Sequence, residues 1–248
     1  MNHYFISDLH LEESRPDITR AFFSIINAIQ HQATSLYILG DFFEAWIGDD
    51  ENTELQLSVK SRLKQLTDTG VALFFMHGNR DFLIGELFAK ETGASILADP
   101  CVVNIANTPI LLMHGDSLCT ADVGYMKFRA TIRNPAFLEP FLKRPIEERK
   151  ITAQQLRAMS QANNKGKSEE IMDVTLEEVP KEMLAHNVTT LIHGHTHRPQ
   201  IHQVELEQKQ GERVVLGDWD KNVWYIKVDE SGEKSLNHYP VSLQEVEI

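Results

Sequence analysis

Five short apolar runs in this 248-residue chain each end in a small cluster of glycine, carboxylate or imidazole, and that ordered pattern constrains the fold most. Tyr4–Ser7 runs into Asp8-Leu9-His10, Leu36–Leu39 into Gly40-Asp41, and Val71–Met76 into His77-Gly78-Asn79-Arg80-Asp81. Pro109–Met113 runs into His114-Gly115-Asp116, and Thr190–His193 into Gly194-His195-Thr196-His197. Runs of this length bounded by turn residues read as buried strands. In a layered α/β sheet the loops beyond the strands' carboxyl ends converge on one rim, which is where ligands bind. Five chemically equipped loops therefore predict one shared site.

Helical patterns lie between the early strands. Pro16 opens a stretch with Ile18, Phe22, Ile25, Ile26 and Ile29 on one face, the period of an amphipathic helix. Thr53 is placed to cap a second helix striped by Leu55, Val59, Leu63 and Leu66, which Gly70 ends. A short helix is expected near Leu83–Thr92, then an antiparallel pair, Cys101–Ile105 with Pro109–Met113. Gln200–Glu205, Arg213–Gly217 and Val223–Val228 read as a late meander. The whole chain, 1–248, is expected to form a single layered α/β domain. The span from about 122 to 171 breaks the alternation. There, Phe128, Ile132, Phe137, Phe141 and Leu156 interleave with basic residues, and Pro135, Pro140 and Pro145 cut the segment into short pieces. It reads as a helical insertion lying over the main domain as a lid.

An Asp-x-His or His-x-His on extended backbone sends both side chains to one side. Together the five loops supply Asp8, His10, Asp41, Asn79, His114, His195 and His197. Seven such groups are too many for one four-coordinate zinc, and none is a thiolate. Mixed oxygen and nitrogen donors suit two hard or borderline divalent ions, with Asp41 shared. Two ions roughly 3.5–4 Å apart activate a bridging hydroxide and clamp a phosphoryl group for in-line displacement. His193, next to the last pair, reads instead as a strand residue packed in the core.

Charge and composition narrow the class of partner. A net charge of −12 argues against a protein that coats nucleic acid. Residues 125–167 nevertheless sum to +7, through Lys127, Arg129, Arg133, Lys143, Arg144, Arg149, Lys150, Arg157, Lys165 and Lys167, and leave −19 for the remainder. Such a run is either a solvated face or a site for an anionic partner. The longest unbroken apolar run, Val71–Met76, falls far short of the ~20 residues of a membrane span. The N-terminus has neither a basic region nor a cleavage site for export, and Cys101 and Cys119 fit free thiols in a reducing cytosol. A cytoplasmic location follows as an expectation.

Asp-x-His, Gly-Asp, Gly-Asn, His-Gly-Asp and Gly-His-x-His, in this order, resemble the calcineurin-like metallophosphoesterase superfamily. Its fold is a layered β-sandwich core flanked by helices. Phe5–Leu11, Leu39–Asp50, His77–Phe82 and His193–Pro199 resemble more closely the branch that hydrolyses UDP-2,3-diacylglucosamine in lipid A synthesis. That likeness runs from about Tyr4 to Tyr239, with Val214–Trp219 and the basic insertion included.

The resemblance implies one metal ion on Asp8, His10, Asp41 and His197 and a second on Asp41, Asn79, His114 and His195, with manganese as the ion. Asp41, Asn79, Arg80, His114 and His195 would then carry catalysis. Most of the superfamily has histidine after the Gly-Asn pair; this chain has Arg80, which suits a bidentate phosphate clamp rather than a proton donor. Substrate contacts implied in the same way are Asn79, Arg80, Asp122, Ser160, Asn164, Lys167 and His195, with Tyr125, Phe128 and Arg157 beside them. The expected substrate is a UDP-linked diacylated glucosamine, cleaved at the α-phosphorus by a metal-activated hydroxide to UMP and the diacylated sugar 1-phosphate. The anionic inner-membrane surface is the expected peripheral contact, with no obligatory protein partner. Phe141, Leu142 and Ile146 fit either acyl contact or a small core of the insertion itself.

Overall fold

The computed structural model describes residues 2–164, 171, 173–207 and 209–243. The side chains of Gln161, Asn163 and Asn164 lie outside that description, as does Lys167 entirely.

Two sheets face one another, with helices on the outer sides. The first sheet orders β11-β10-β1-β2-β3-β4, where β1 is Asn2–Ile6, β2 Ala33–Leu39, β3 Ala72–Met76, β4 Ala94–Leu97, β10 Asn222–Val228 and β11 Lys234–Pro240. Strands β1 to β4 are parallel, and β10 and β11 close the edge antiparallel. The second sheet orders β5-β6-β7-β9-β8, with β5 Cys101–Ile105, β6 Thr108–Leu112, β7 Thr190–His193, β8 Gln200–Leu206 and β9 Lys209–Val215. Here β6, β7 and β9 are parallel.

Alternation along each strand assigns side chains to layers. Phe5, Tyr37 and Leu39 point inward and meet Ile110, Leu112, Ile192 and Val214 of the opposite sheet. Their neighbours Tyr4, Ile6, Leu36 and Ile38 point outward to α1 (Pro16–Ile29) and α2 (Glu54–Asp68). On the far side, Leu111 and Leu191 pack with Val179 and Met183 of α7 (Glu178–Ala185). The result is helix, sheet, sheet, helix.

Local chemistry fixes the ends of these elements. Thr53 forms a reciprocal capping box, its Oγ1 accepting from Gln56 N at 3.2 Å while its own N–H donates to Gln56 Oε1 at 3.1 Å. Asp49 accepts from the backbone N–H groups of Gly85, Leu87 and Phe88, capping α3 (Glu86–Thr92), and also from Trp46 Nε1 at 3.0 Å. One carboxylate thus ties the loop after β2 to the helix after β3. Strands β4 and β11 and helix α7 were not anticipated in the sequence. Ala94–Leu97 alternates too briefly to signal itself, Lys234–Pro240 is largely polar at an exposed edge, and α7 is only two turns long.

Residues 123–164 form α4 (Val123–Ile132), α5 (Pro135–Leu142) and α6 (Ile146–Asn164). Five of their basic residues pair with the domain beneath, so the run is neither wholly a solvated face nor wholly a site for an anionic partner. Arg129 Nε and Arg133 Nη2 donate to Asp116 Oδ2 at 2.7 and 3.2 Å, and Arg133 also donates to the Gly78 carbonyl at 3.0 Å. Arg149 is 1% exposed and pairs with Asp50 while donating to the Ile47 carbonyl at 2.7 Å. Lys150 meets Glu51 at 3.3 Å, and Arg157 meets Glu44 at 2.5 Å. Half of the segment's cations hold the helices to the acidic domain beneath.

Replacing Arg149 with Ala removes the best-buried of these ties. It should lower stability to urea by about 1–3 kcal/mol. Because Asp50 is exposed enough to rehydrate, the greater effect should be faster amide exchange across residues 146–160, read by mass spectrometry.

Candidate active site

The carboxyl ends of β1, β2, β3, β6 and β7 open onto the same rim, and backbone hydrogen bonds stitch their loops together. Asp8 N donates to Gly40 O at 3.1 Å, His10 N to Asp41 O at 3.0 Å, and Gly194 N to His114 O at 2.9 Å. The local backbone is unusual. Eight non-glycine residues have positive φ among the described residues, and Asp8, His10, Asp41, His195 and His197 are five of them. Left-handed backbone costs a non-glycine residue of order 1–3 kcal/mol and persists where surrounding structure enforces it, typically at functional sites. Here the strain falls on residues whose side chains face the rim.

Two clusters result. Ligand atoms of Asp8, His10 and His197 lie within 4.8 Å of one another, and so do those of Asp41, His114 and His195. Asp41 reaches both: its Oδ2 is 3.9 Å from His10 Nε2 and its Oδ1 3.7 Å from His114 Nε2. Asn79 Oδ1 stands 3.0 Å from His114 Nε2. The structure thus brings together all seven residues singled out as metal ligands.

The hydrogen bonds on the outer side of the imidazoles test whether the cluster suits cations. His114 Nδ1 is 2.9 Å from the Leu39 carbonyl, and His10 Nδ1 is 2.7 Å from Glu44 Oε2. Both partners accept, so each Nδ1 carries a proton, and once Nε2 gives up its own proton that nitrogen turns a lone pair inward. Outer-side bonds of this type orient metal-binding histidines. For His114 that lone pair would meet Asn79 Oδ1, acceptor against acceptor, unless a cation takes the place of the proton between them. The donor set and its orientation fit two divalent ions.

Titration behaviour follows from the same crowding. Burial pushes the Asp8 carboxyl up, but the hydrogen bond from His197 and the charges of His197, His114 and His10 outweigh it and hold Asp8 well below the usual carboxylate range. Burial also opposes charge on His10, yet Glu44, Asp41 and Asp8 raise it to about 9. Burial, and then the neighbouring His114, pushes His195 down to about 4, which leaves a neutral ring at pH 7. Burial and the charge of Asp41 raise Asp81 to about 6.

A cavity of about 340 Å³ lies between the rim and the three helices. Its wall includes Asn79, Arg80, Tyr125, Phe128, Arg157 and Ser160 from the sequence-based set. Phe141 also lines it and is buried at 4% exposure, Leu142 is 42% exposed, and Ile146 is half-buried. Asp122 caps α4, accepting from Tyr125 N at 3.0 Å. Asn164 ends α6, and Lys167 falls outside the described residues. The Tyr125 ring stacks over His195 with centroids 6.1 Å apart. His193 is fully buried, its Nδ1 against the Gly194 carbonyl at 2.8 Å.

Sequence reasoning gave no role to Asp81, Asp116 or Glu44. Asp81 accepts from Gly78 N and Phe42 N at 2.8 Å each, clamping two loops together. Asp116 accepts from Tyr125 Oη at 2.7 Å as well as from the two arginines, and so joins the His114 loop to α4. Both stand inside the motifs, where adjacency to a ligand was the available signal.

A two-sheet α/β sandwich with paired aspartate–histidine clusters at its rim defines a metallophosphoesterase. The profile of the calcineurin-like phosphoesterase family matches residues 1–199, and the chain belongs to that family. It is 56% identical over 242 residues to the UDP-2,3-diacylglucosamine hydrolase of Marinobacter nauticus, covering 98% of this chain and 99% of that one. Hydrolases of the same name from Hahella chejuensis and Pseudomonas fluorescens are 52% and 54% identical, covering 94% and 92% of this chain and 96% and 91% of theirs. The family implies divalent metal ions, for which the two clusters are candidate sites. Among the described residues, no helix is long and apolar enough to cross a membrane.

Two outcomes follow. His10 is protonated below about 9 in the metal-free chain, and a metal needs the neutral ring. Manganese binding should therefore release protons at pH 7 and tighten as pH rises toward about 9, which calorimetry in buffers of differing ionisation enthalpy will read. A Cβ on Gly78 would collide with the backbone nitrogen and Oδ1 of Asp41. Gly78→Ala should weaken manganese binding by about tenfold or more, measured by equilibrium dialysis.

Proposed function

We propose that this chain hydrolyses the diphosphate of UDP-2,3-diacylglucosamine at the α-phosphorus, releasing UMP and 2,3-diacylglucosamine 1-phosphate in lipid A synthesis. One juxtaposition carries the reading: paired metal-ligand clusters share a rim with a cavity walled by Trp46, Phe82, Leu83, Phe128, Ile132 and Phe137. Phosphoryl chemistry and an apolar, ligand-sized chamber stand side by side. The names of the relatives support the same substrate.

We assign Asp8, His10, Asp41 and His197 to one ion and Asp41, Asn79, His114 and His195 to the other. When bound, two divalent ions supply activated water and Lewis-acid neutralisation of the phosphoryl oxygens. Manganese suits this oxygen and nitrogen donor set. Arg80 clamps the diphosphate and offsets charge that grows on its oxygens. Its backbone N–H donates to Asp41 Oδ1 at 2.8 Å, which holds the clamp in register with the shared ligand. The leaving group is a phosphate monoester, so the scissile oxygen needs little help from a side-chain acid. His195, neutral at pH 7, acts as a ligand rather than a donor. Tyr125, Phe128, Arg157 and Ser160 hold the sugar and acyl portion and keep bulk water from it. Asp122, Asn164 and Lys167 complete the proposed substrate contacts, and 122–171 is the covering insertion.

We further propose that the protein works in the cytoplasm, peripheral on the inner membrane. Lys127, Lys143 and Arg144 are exposed and have no ion-pair partner among the described residues, and Val123 of α4, Leu142 of α5 and Met159 of α6 are exposed in the same segment. Cations beside apolar side chains favour an anionic lipid surface.

Incubation with UDP-2,3-diacylglucosamine in mixed micelles with manganese and oxygen-18 water should give both products, with the label in UMP. Label in the lipid phosphate, or equally fast cleavage of a soluble nucleotide diphosphate, would overturn the reading. Asp41→Ala should lower kcat by roughly 10³-fold or more while leaving the circular dichroism spectrum unchanged.

A further inference from the structure

A carboxylate on the wall of a chamber for a polyanion needs a reason, because it repels the ligand. Glu44 is such a residue. Its side chain is only 11% exposed, and its two oxygens have different partners. Oε2 lies 2.7 Å from His10 Nδ1. Oε1 lies 2.5 Å from Arg157 Nη2 of α6 and 3.9 Å from Arg80 Nη1. The backbone beneath is fastened to the loop that carries His10: Glu44 N donates to the Leu11 carbonyl at 3.1 Å, and Leu11 bridges Phe43. The carboxylate is thus a fixed point between the first strand loop, the arginine after β3 and the helical cover.

We propose that Glu44 is a positioning residue that orients the His10 imidazole, with its Nε2 toward the metal cluster, through one oxygen and seats Arg157 and Arg80 through the other. The seating of the cover and the geometry of the metal site therefore depend on a single carboxylate. Glu44 needs no contact with the reacting phosphorus to do this. With Oε2 holding the Nδ1 proton, the ring cannot rotate its lone pair out of the cluster. With Oε1 holding Arg157, a flexible side chain is ordered before a diphosphate arrives, so less entropy is lost on binding. The proposal rests on His10 being a metal ligand and on the substrate assigned above.

Two substitutions separate the two oxygens. In Glu44→Gln the amide oxygen can still accept from His10, while the amide nitrogen faces Arg157 as donor against donor. Manganese affinity of E44Q should stay within about threefold of the parent while KM rises about tenfold. Glu44→Ala removes both supports and should weaken manganese binding about 10–100-fold. Arg157→Gln should raise KM with manganese affinity unchanged, and the E44Q/R157Q double variant should be no worse in KM than R157Q within about twofold. Affinities are read by equilibrium dialysis of the full chain with manganese alone, KM with the acylated nucleotide, and folding by thermal melting. An E44A protein that binds manganese like the parent, or E44Q and R157Q effects that multiply in the double variant, would overturn the proposal. A parent that takes up no manganese or leaves the nucleotide intact removes the active-site reading as well, so the two failures are distinct.

Discussion

The Asp41 carboxylate stands at the junction of the molecule's two sheets. It is 2% exposed and lies within 4 Å of His10, from the loop after β1, and of His114, from the loop after β6. Burying that charge among further carboxylates is costly unless positive charge surrounds it. Without metal, protons on the imidazoles supply it, as the raised His10 indicates. In the proposed holoenzyme two cations take their place. The left-handed backbone at Asp8, His10, Asp41, His195 and His197 and the bare Gly78 beside Asp41 serve the same end, bringing main chain close enough for one carboxylate to span both clusters.

A second layer of charge joins the helical cover to this centre. Arg133 reaches the Gly78 carbonyl, Arg129 and Tyr125 reach Asp116, and Arg149 reaches Asp50 and Ile47. Each tie ends on or next to a rim loop. A cover held by charge-assisted hydrogen bonds to those loops is registered against the chemistry, and the apolar chamber forms in the gap. About half of the segment's cations are thus taken up internally, and among the described residues Lys127, Lys143 and Arg144 stay exposed to a surface.

Much of the fold was legible in advance because most of its parallel strands are short and buried toward their carboxyl ends. Such strands read as compact apolar runs, and Thr53, Pro16 and Gly70 mark helix ends by chemistry that acts within a few residues. The seven candidate ligand residues were legible because each follows a strand. Glu44, Asp81 and Asp116 were not, although they lie inside the same motifs. Their roles consist of bonds to residues tens of positions away, such as Asp81 to Phe42 and Glu44 to Arg157.

The sequence by itself determined which side chains stand at the candidate site, in what order, and that strand ends would present them. Those properties depend on residue type and short-range periodicity. Only the tertiary structure decided that Asp41 spans both clusters, that half of the basic segment's cations pair with the domain beneath, and that Glu44 faces a histidine and two arginines at once. Distances across the sandwich depend on how the two sheets stack and how the cover docks, and no local spacing encodes them.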